Sequence, residues 1–157
     1  MKSCSLIEAP SDLGLQPTGV AMLPSALLDA GLLEGLDDVR HEGRVPVPPY
    51  DQVRDTSTGV LNPAGIRSFT ATLSERVAVT LDHGRFPLVL GGDCSILLGP
   101  LLALRRRGRF GLFFIDGHAD FYSPQSEPKG EAASMELAVA TGRGPAGLAD
   151  FDGLDPL

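Results

Sequence analysis

Cysteine is scarce in this chain, long apolar runs are missing, and no basic stripe appears. Cys4 and Cys94 are two cysteines in 157 residues, too few for the disulfide framework of a small secreted domain, so both are expected as free thiols. Lys2 is followed by a short apolar stretch that Glu8 interrupts, which is not a signal peptide. No run approaches the roughly 20 apolar residues of a membrane span, so no membrane partner is expected and a cytoplasmic location follows. The net charge is −7 and cations cluster only at Arg105, Arg106 and Arg107, which argues against a nucleic-acid partner. What is present is globular: 43% hydrophobic and 21% charged residues, in a length that fits one domain with a real core, which excludes disorder and fibre.

Strand and helix patterns alternate along the chain. Ser3 to Ala9 is a short apolar stretch ended by Pro10, and after a glycine-containing turn Pro24 opens a helix expected to run to about Leu36. Val45 to Pro49 reads as an edge strand or an extended segment, because proline cannot donate to a ladder, and loop is expected from there to Asn62. Asn62-Pro63 has the form of a helix start, and Ile66, Phe69, Leu73, Val77 and Leu81 recur at helical spacing until Gly84. Phe86 to Leu90 reads as a buried parallel strand ending at Gly91-Gly92. A helix is expected from Asp93 or Ser95 to Gly108, kinked at Pro100, with the three arginines at the negative end of its dipole. Phe110 to Ile115 is the next expected strand, and Ser134 to Thr141 a short helix. Such repetition predicts an α/β fold, three-layer αβα with a parallel sheet, whose ligands sit at the carboxyl ends of the strands.

Two motifs occupy such ends. Asp116, His118 and Asp120 follow the apolar run Leu112 to Ile115, and an extended backbone would put all three on one face. Two carboxylates and an imidazole suit a divalent ion such as manganese, iron or zinc. Without metal in a dry site, the two acids would repel and resist ionisation. The other motif is Gly91-Gly92-Asp93-Cys94-Ser95, a turn allowing close backbone approach. It has neither the G-x-x-x-x-G-K-S/T nor the G-x-G-x-x-G pattern of a phosphate loop, and it would set Asp93, Cys94 and Ser95 beside the first motif if the two strands are neighbours. A metallophosphoesterase would need a later Gly-Asp-x-x-Asp and Gly-Asn-His-Asp, and neither occurs.

Together, Leu6-Ile7-Glu8-Ala9-Pro10 with Gly14 and Gly19, Gly91-Gly92-Asp93-x-Ser95, and Asp116-x-His118-x-Asp120 resemble three motifs of the arginase and agmatinase (ureohydrolase) family, in the family's order, from the N-terminus to about Pro145. The resemblance implies two manganese ions, with Asp116 bridging them, His118 binding one and Asp120 the other. It implies hydrolysis of a linear guanidine or amidine, of the agmatinase, guanidinobutyrase or formimidoylglutamase kind, releasing urea or a related amide and an amine. A homo-oligomer is also implied.

Three departures shape these expectations. Cys94 stands where the family normally has a histidine ligand; it is either a softer ligand that favours Zn2+ or Fe2+, or a free thiol that binds nothing. After Asp120 the chain has Lys129-Gly130-Glu131-Ala132-Ala133-Ser134 in place of the arginase Ser-Gly-Asn run, and no histidine follows His118. Glu131 either faces a cationic substrate or is an exposed acid near a helix start. Family members are roughly twice as long, their second half bringing an Asp-x-Asp pair. Asp150 to Pro156 resembles that pattern, with too little chain around it to be the missing strand. Residues 1–157 are therefore expected to be the N-terminal portion of a single domain, truncated before the last metal-ligand strand and not active alone. The alternative is a non-catalytic ureohydrolase-like protein that acts by binding or assembly.

Overall fold

The computed structural model describes residues 3–151. Its centre is β1 (Cys4–Ala9), flanked in parallel by β2 (Val39–Arg44) and β3 (Phe86–Gly91), in the order β2-β1-β3. Alternation along β1 decides what covers each face. Ile7 and Ala9 enter the core with Ile66, Phe69, Leu73 and Val77 of α2 (Pro63–Asp82). Glu8 points the other way, where Arg44 donates to it from Nε and Nη2 at 3.2 and 2.9 Å and His41 Nε2 stands 3.0 Å away. The same Arg44 Nη2 donates to Ser25 of α1 (Leu23–Asp29), so α1 lies on the face opposite α2. Helices on both faces of a parallel sheet make an incomplete αβα sandwich, as the strand-helix alternation predicts.

The long helix matches its spacing: Ile66, Phe69, Thr70, Leu73, Ser74, Val77 and Thr80 are its buried positions. Asn62 does not cap it. Its side chain instead donates to Leu13 O (3.0 Å) and accepts from Asp51 N–H (2.6 Å), tying two loops together. The first helix is shorter than predicted, because Gly31 at φ 83° breaks it before a 3-10 turn at Leu32–Gly35. After β3, a 3-10 turn at Cys94–Leu97 leads into α3 (Leu98–Arg105). Pro100 thus falls in the first turn of α3, where no N–H partner is lost, and the predicted kink has no cause. Gly99 lets α3 cross close to Leu73 of α2. The arginines after it also grip α2: Arg107 donates to Ala78 O at 2.9 Å and pairs with Asp82.

One strand was not expected, and one strand expectation needs correction. The edge strand is Val39–Arg44, while 45–49 is extended outside the ladder, with Val45 N–H still donating to Glu8 O (2.8 Å). Its exposed polar residues Arg40, His41 and Arg44, and the register shift opposite Leu6 to Glu8, suit an edge facing water. Residues 110–115 form no strand. Phe113 and Ile115 are 88% and 86% exposed, and among the described residues β3 pairs only with β1, leaving its other edge open. The apolar run is there, but no neighbouring strand accepts its backbone bonds. A 3-10 turn at Ala132–Ser134 and α4 (Glu136–Ala140) then close the described core, where Met135, Val139 and Leu148 are buried. Asp152 and Asp155 of the acidic tail lie outside the described residues.

Candidate metal centre

The turn after β3 is built by contact with the loop after β1. At Gly92 a Cβ would stand 2.5 Å from Ser11 N and nearer still to Ser11 O, so only glycine fits. Asp93 N–H donates to Ser11 O at 2.8 Å. The buried Asp93 carboxylate accepts from Gly14 N–H (3.1 Å), Ser95 N–H (2.8 Å) and Ser11 Oγ (3.3 Å). Burial raises its pKa, and those hydrogen bonds oppose the rise. Asp93 therefore latches two strand ends, and Ser95, also buried, supplies one of its donors.

The latch presents Cys94 to a group of acids. Cys94 is an exposed residue and a free thiol. Lost hydration of the sulfur, followed by the charges of Glu136, Asp116, Asp120 and Asp93, pushes the thiol up to about 12. It is therefore a thiol, not a thiolate, in the metal-free chain.

The Asp116 to Asp120 run does not stay extended. Asp116 Oδ1 accepts from His118 N–H at 2.9 Å and lies 3.3 Å from His118 Nδ1, which bends the chain at 117–118. Asp120 then adopts φ 49°. The single-face expectation gives way to a split: the His118 side chain is 85% exposed, whereas Asp120 is 4% exposed. Beside Asp120 stands Glu136, 0% exposed at the start of α4, which is not among the candidate residues named from the sequence. Burial first, then an Asp120 carboxyl close enough to share its proton and the charges of Asp120 and Asp116, pushes its carboxyl up to about 9. The signal available in the sequence was a lone acid inside the small and apolar run Ala132 to Ala140. Glu131 is neither exposed nor free: its Oε1 accepts from Gln16 N–H (3.3 Å), and Lys129 Nζ is 3.9 Å from Oε2.

These residues pass one test for a cation. Asp120 Oδ2 and both carboxylate oxygens of Glu136 are buried without a hydrogen-bond partner, a costly arrangement unless a proton or metal meets them. Carboxylates, an imidazole and a thiol suit a borderline divalent ion. Among the described residues, however, no three such side chains converge in metal-binding geometry. The structure brings Asp116 to His118 and Asp120 to Glu136, and leaves the two pairs apart from a closed site.

Known proteins give this arrangement a context. A family model described as the arginase family matches residues 2–146. The arginase of Bacillus caldovelox is 33% identical over 162 residues, covering 99% of this chain and 54% of the relative, and that of Staphylococcus aureus (strain MSSA476) is 33% identical over 158 residues, 96% and 52%. The solved native structure of the Bacillus caldovelox arginase superposes with a TM-score of 0.88 at 31% identity, covering 99% of this chain and 55% of its own. The arginase of Entamoeba histolytica, solved in complex with L-ornithine, does so at 0.79 and 27%, covering 94% and 52%. The chain spans about half the length of the relatives it matches. A glycine turn latched by Asp93, an Asp-x-His-x-Asp run beyond it and a match through nearly the whole sequence lead to one assignment: the chain belongs to the arginase family.

Proposed function

We propose that this chain is the N-terminal portion of a metal-dependent hydrolase that cleaves a C–N bond of a linear guanidine or amidine, releasing urea or a related amide and an amine. The observation that carries this reading is the bare, buried carboxylate oxygen of Asp120 beside Asp116 and Cys94, in a chain of the arginase family. Asp116, His118 and Asp120 would hold manganese, two ions in a complete site, and Cys94 would contribute if metal binding displaces its thiol proton to solvent. The bound metal would supply an acidified water at neutral pH. Asp93 and Ser95 hold the turn that presents Cys94, and Glu131 fixes the loop at Gln16, so neither Asp93 nor Glu131 is free to contact substrate.

The remaining ligands would come from chain corresponding to the other half of the relatives, since residues 110–115 and β3 each have room for a strand partner. An agmatine-, guanidinobutyrate- or formimidoylglutamate-like substrate is favoured over arginine, because 129–134 has neither the Ser-Gly-Asn run nor a histidine. A homo-oligomer and a cytoplasmic location belong to the same reading. No helix among the described residues is long and apolar enough to cross a membrane.

The test is metal analysis of the full-length protein, followed by release of urea, formamide or ammonia from agmatine, guanidinobutyrate, formimidoylglutamate and arginine with manganese present. About two ions per chain and turnover of one substrate are expected. Metal-free protein that releases nothing would instead favour a binding or assembly protein of the same family.

A further inference from the structure

We propose that Glu136 is itself a metal-binding carboxylate of this protein, sharing an ion with Asp120. The inference rests on the metal-hydrolase reading and extends its ligand set. Three observations carry it. Glu136 is 0% exposed, and neither of its carboxylate oxygens has a partner; the neighbouring Asp120 Oδ2 has none either. The two side chains are held in place by backbone bonds between their segments, Ala138 N–H to Asp120 O (3.3 Å) and Tyr122 N–H to Ser134 O (3.1 Å), so the pairing is built into the fold. The surroundings of Glu136 on its own element, Met135, Ala138 and Val139, are buried and apolar and offer no side-chain donor.

Two explanations compete for three bare oxygens. A shared proton would join one oxygen of Glu136 to one of Asp120 and leave the third bare, and two ionised carboxylates would repel. A divalent cation serves all three at once. Chemistry then sets the preference: a second carboxylate is a hard oxygen ligand, which offsets the softness of Cys94 and favours manganese over zinc. Asp116 and His118 would join this pair once residues 110–115 gain a strand neighbour and the 117–118 bend is drawn in.

Mn2+ binding by the full-length protein, stripped with chelator and followed by equilibrium dialysis and electron paramagnetic resonance, provides the test. Glu136→Gln keeps the size of the side chain and should weaken Mn2+ at least about tenfold; Glu75→Gln, an exposed acid on α2, should not. Direct contact is read separately: in a Cys94→Ser background, Glu136→Cys should give a thiolate-to-Co2+ charge-transfer band that Cys94→Ser alone lacks. Glu136→Gln with wild-type Mn2+ affinity overturns the inference, and so does a folded Glu136→Cys variant with no band. If the cysteine variant fails to fold, the dialysis result decides. Wild-type protein that binds no Mn2+ would sink the metal-hydrolase reading and this inference together, whereas wild-type binding with Glu136→Gln unchanged would sink this inference alone.

Discussion

Replacing Gly92 with alanine attacks the latch on which the candidate site is hung. The added Cβ would lie 2.5 Å from Ser11 N and nearer still to Ser11 O, where ordinary contact begins at 3.4 Å, so the loop after β1 must retreat by more than about 1 Å. That movement strains the Asp93 N–H bond to Ser11 O and the bonds from Gly14 N–H and Ser11 Oγ to the Asp93 carboxylate. Three hydrogen bonds at about 1 kcal/mol each, with at least about 1 kcal/mol for forced approach of backbone, give a loss of about 4 kcal/mol. For a domain of this size that is a fall in Tm of about 10 °C. Gly35→Ala is the control, since nothing lies within 4 Å of its Cβ position, and it should change stability by less than about 0.5 kcal/mol. Thermal and urea unfolding of both variants beside the parent make the comparison. Equal stabilities for Gly92→Ala and Gly35→Ala would refute the claim that the turn is fixed by backbone contact.

Glu136 has a folded pKa of about 9 against an ordinary 4.5, so the unfolded chain releases this proton first and the metal-free chain loses stability as pH rises between those values. The loss at pH 7 is at most about 3 kcal/mol before relaxation reduces it, and urea unfolding from pH 5 to 8 should flatten in Glu136→Gln. Cys94, with its thiol near 12, should be alkylated by iodoacetamide more slowly at pH 8 than N-acetylcysteine, the rate climbing about tenfold per pH unit; equal rates would contradict the acidic surroundings assigned to it. Leu73→Ala empties the contact between α2 and the Gly99 crossing and should cost about 2–5 kcal/mol by denaturant unfolding, a cost below 1 kcal/mol showing the core to be loose there. Phe113→Lys with Ile115→Lys should raise the solubility of the isolated chain with little change in Tm, because both side chains stand in water; a large destabilisation would mean they are packed.

What the sequence disclosed and what it withheld divide along one physical line. Ile66, Phe69, Leu73 and Val77 announced a helix face because their spacing is local, and Phe86 to Leu90 announced a strand because β1 is present to receive it. Phe110 to Ile115 has the same apolar character but depends on a strand partner that the described residues lack, so the pattern was read correctly as apolar and wrongly as paired. The polar edge strand Val39–Arg44 went unseen because one side of it faces water and no hydrophobic run marks it. In the candidate site, Asp116, His118 and Asp120 stood out by composition and spacing, but their parting at the 117–118 bend comes from an Asp116 hydrogen bond that residue spacing cannot show. Glu136 was hidden for the opposite reason: its sequence neighbourhood is helical and unremarkable, and only burial against Asp120 gives it meaning.

The open edge of β3 bears on how such a protein is made. A strand that extends the parallel order at this edge must arrive through a crossover, and pairing over such a sequence distance is slow. While a nascent chain has reached this length and no further, the free backbone groups of β3 and the uncovered Phe113 and Ile115 form an adhesive margin open to other chains. Arg40 and Arg44 set charge on the opposite margin, whereas β3 alternates Phe86, Leu88 and Leu90. Among the described residues, the β3 margin is therefore the side of the sheet where unintended strand pairing is expected first.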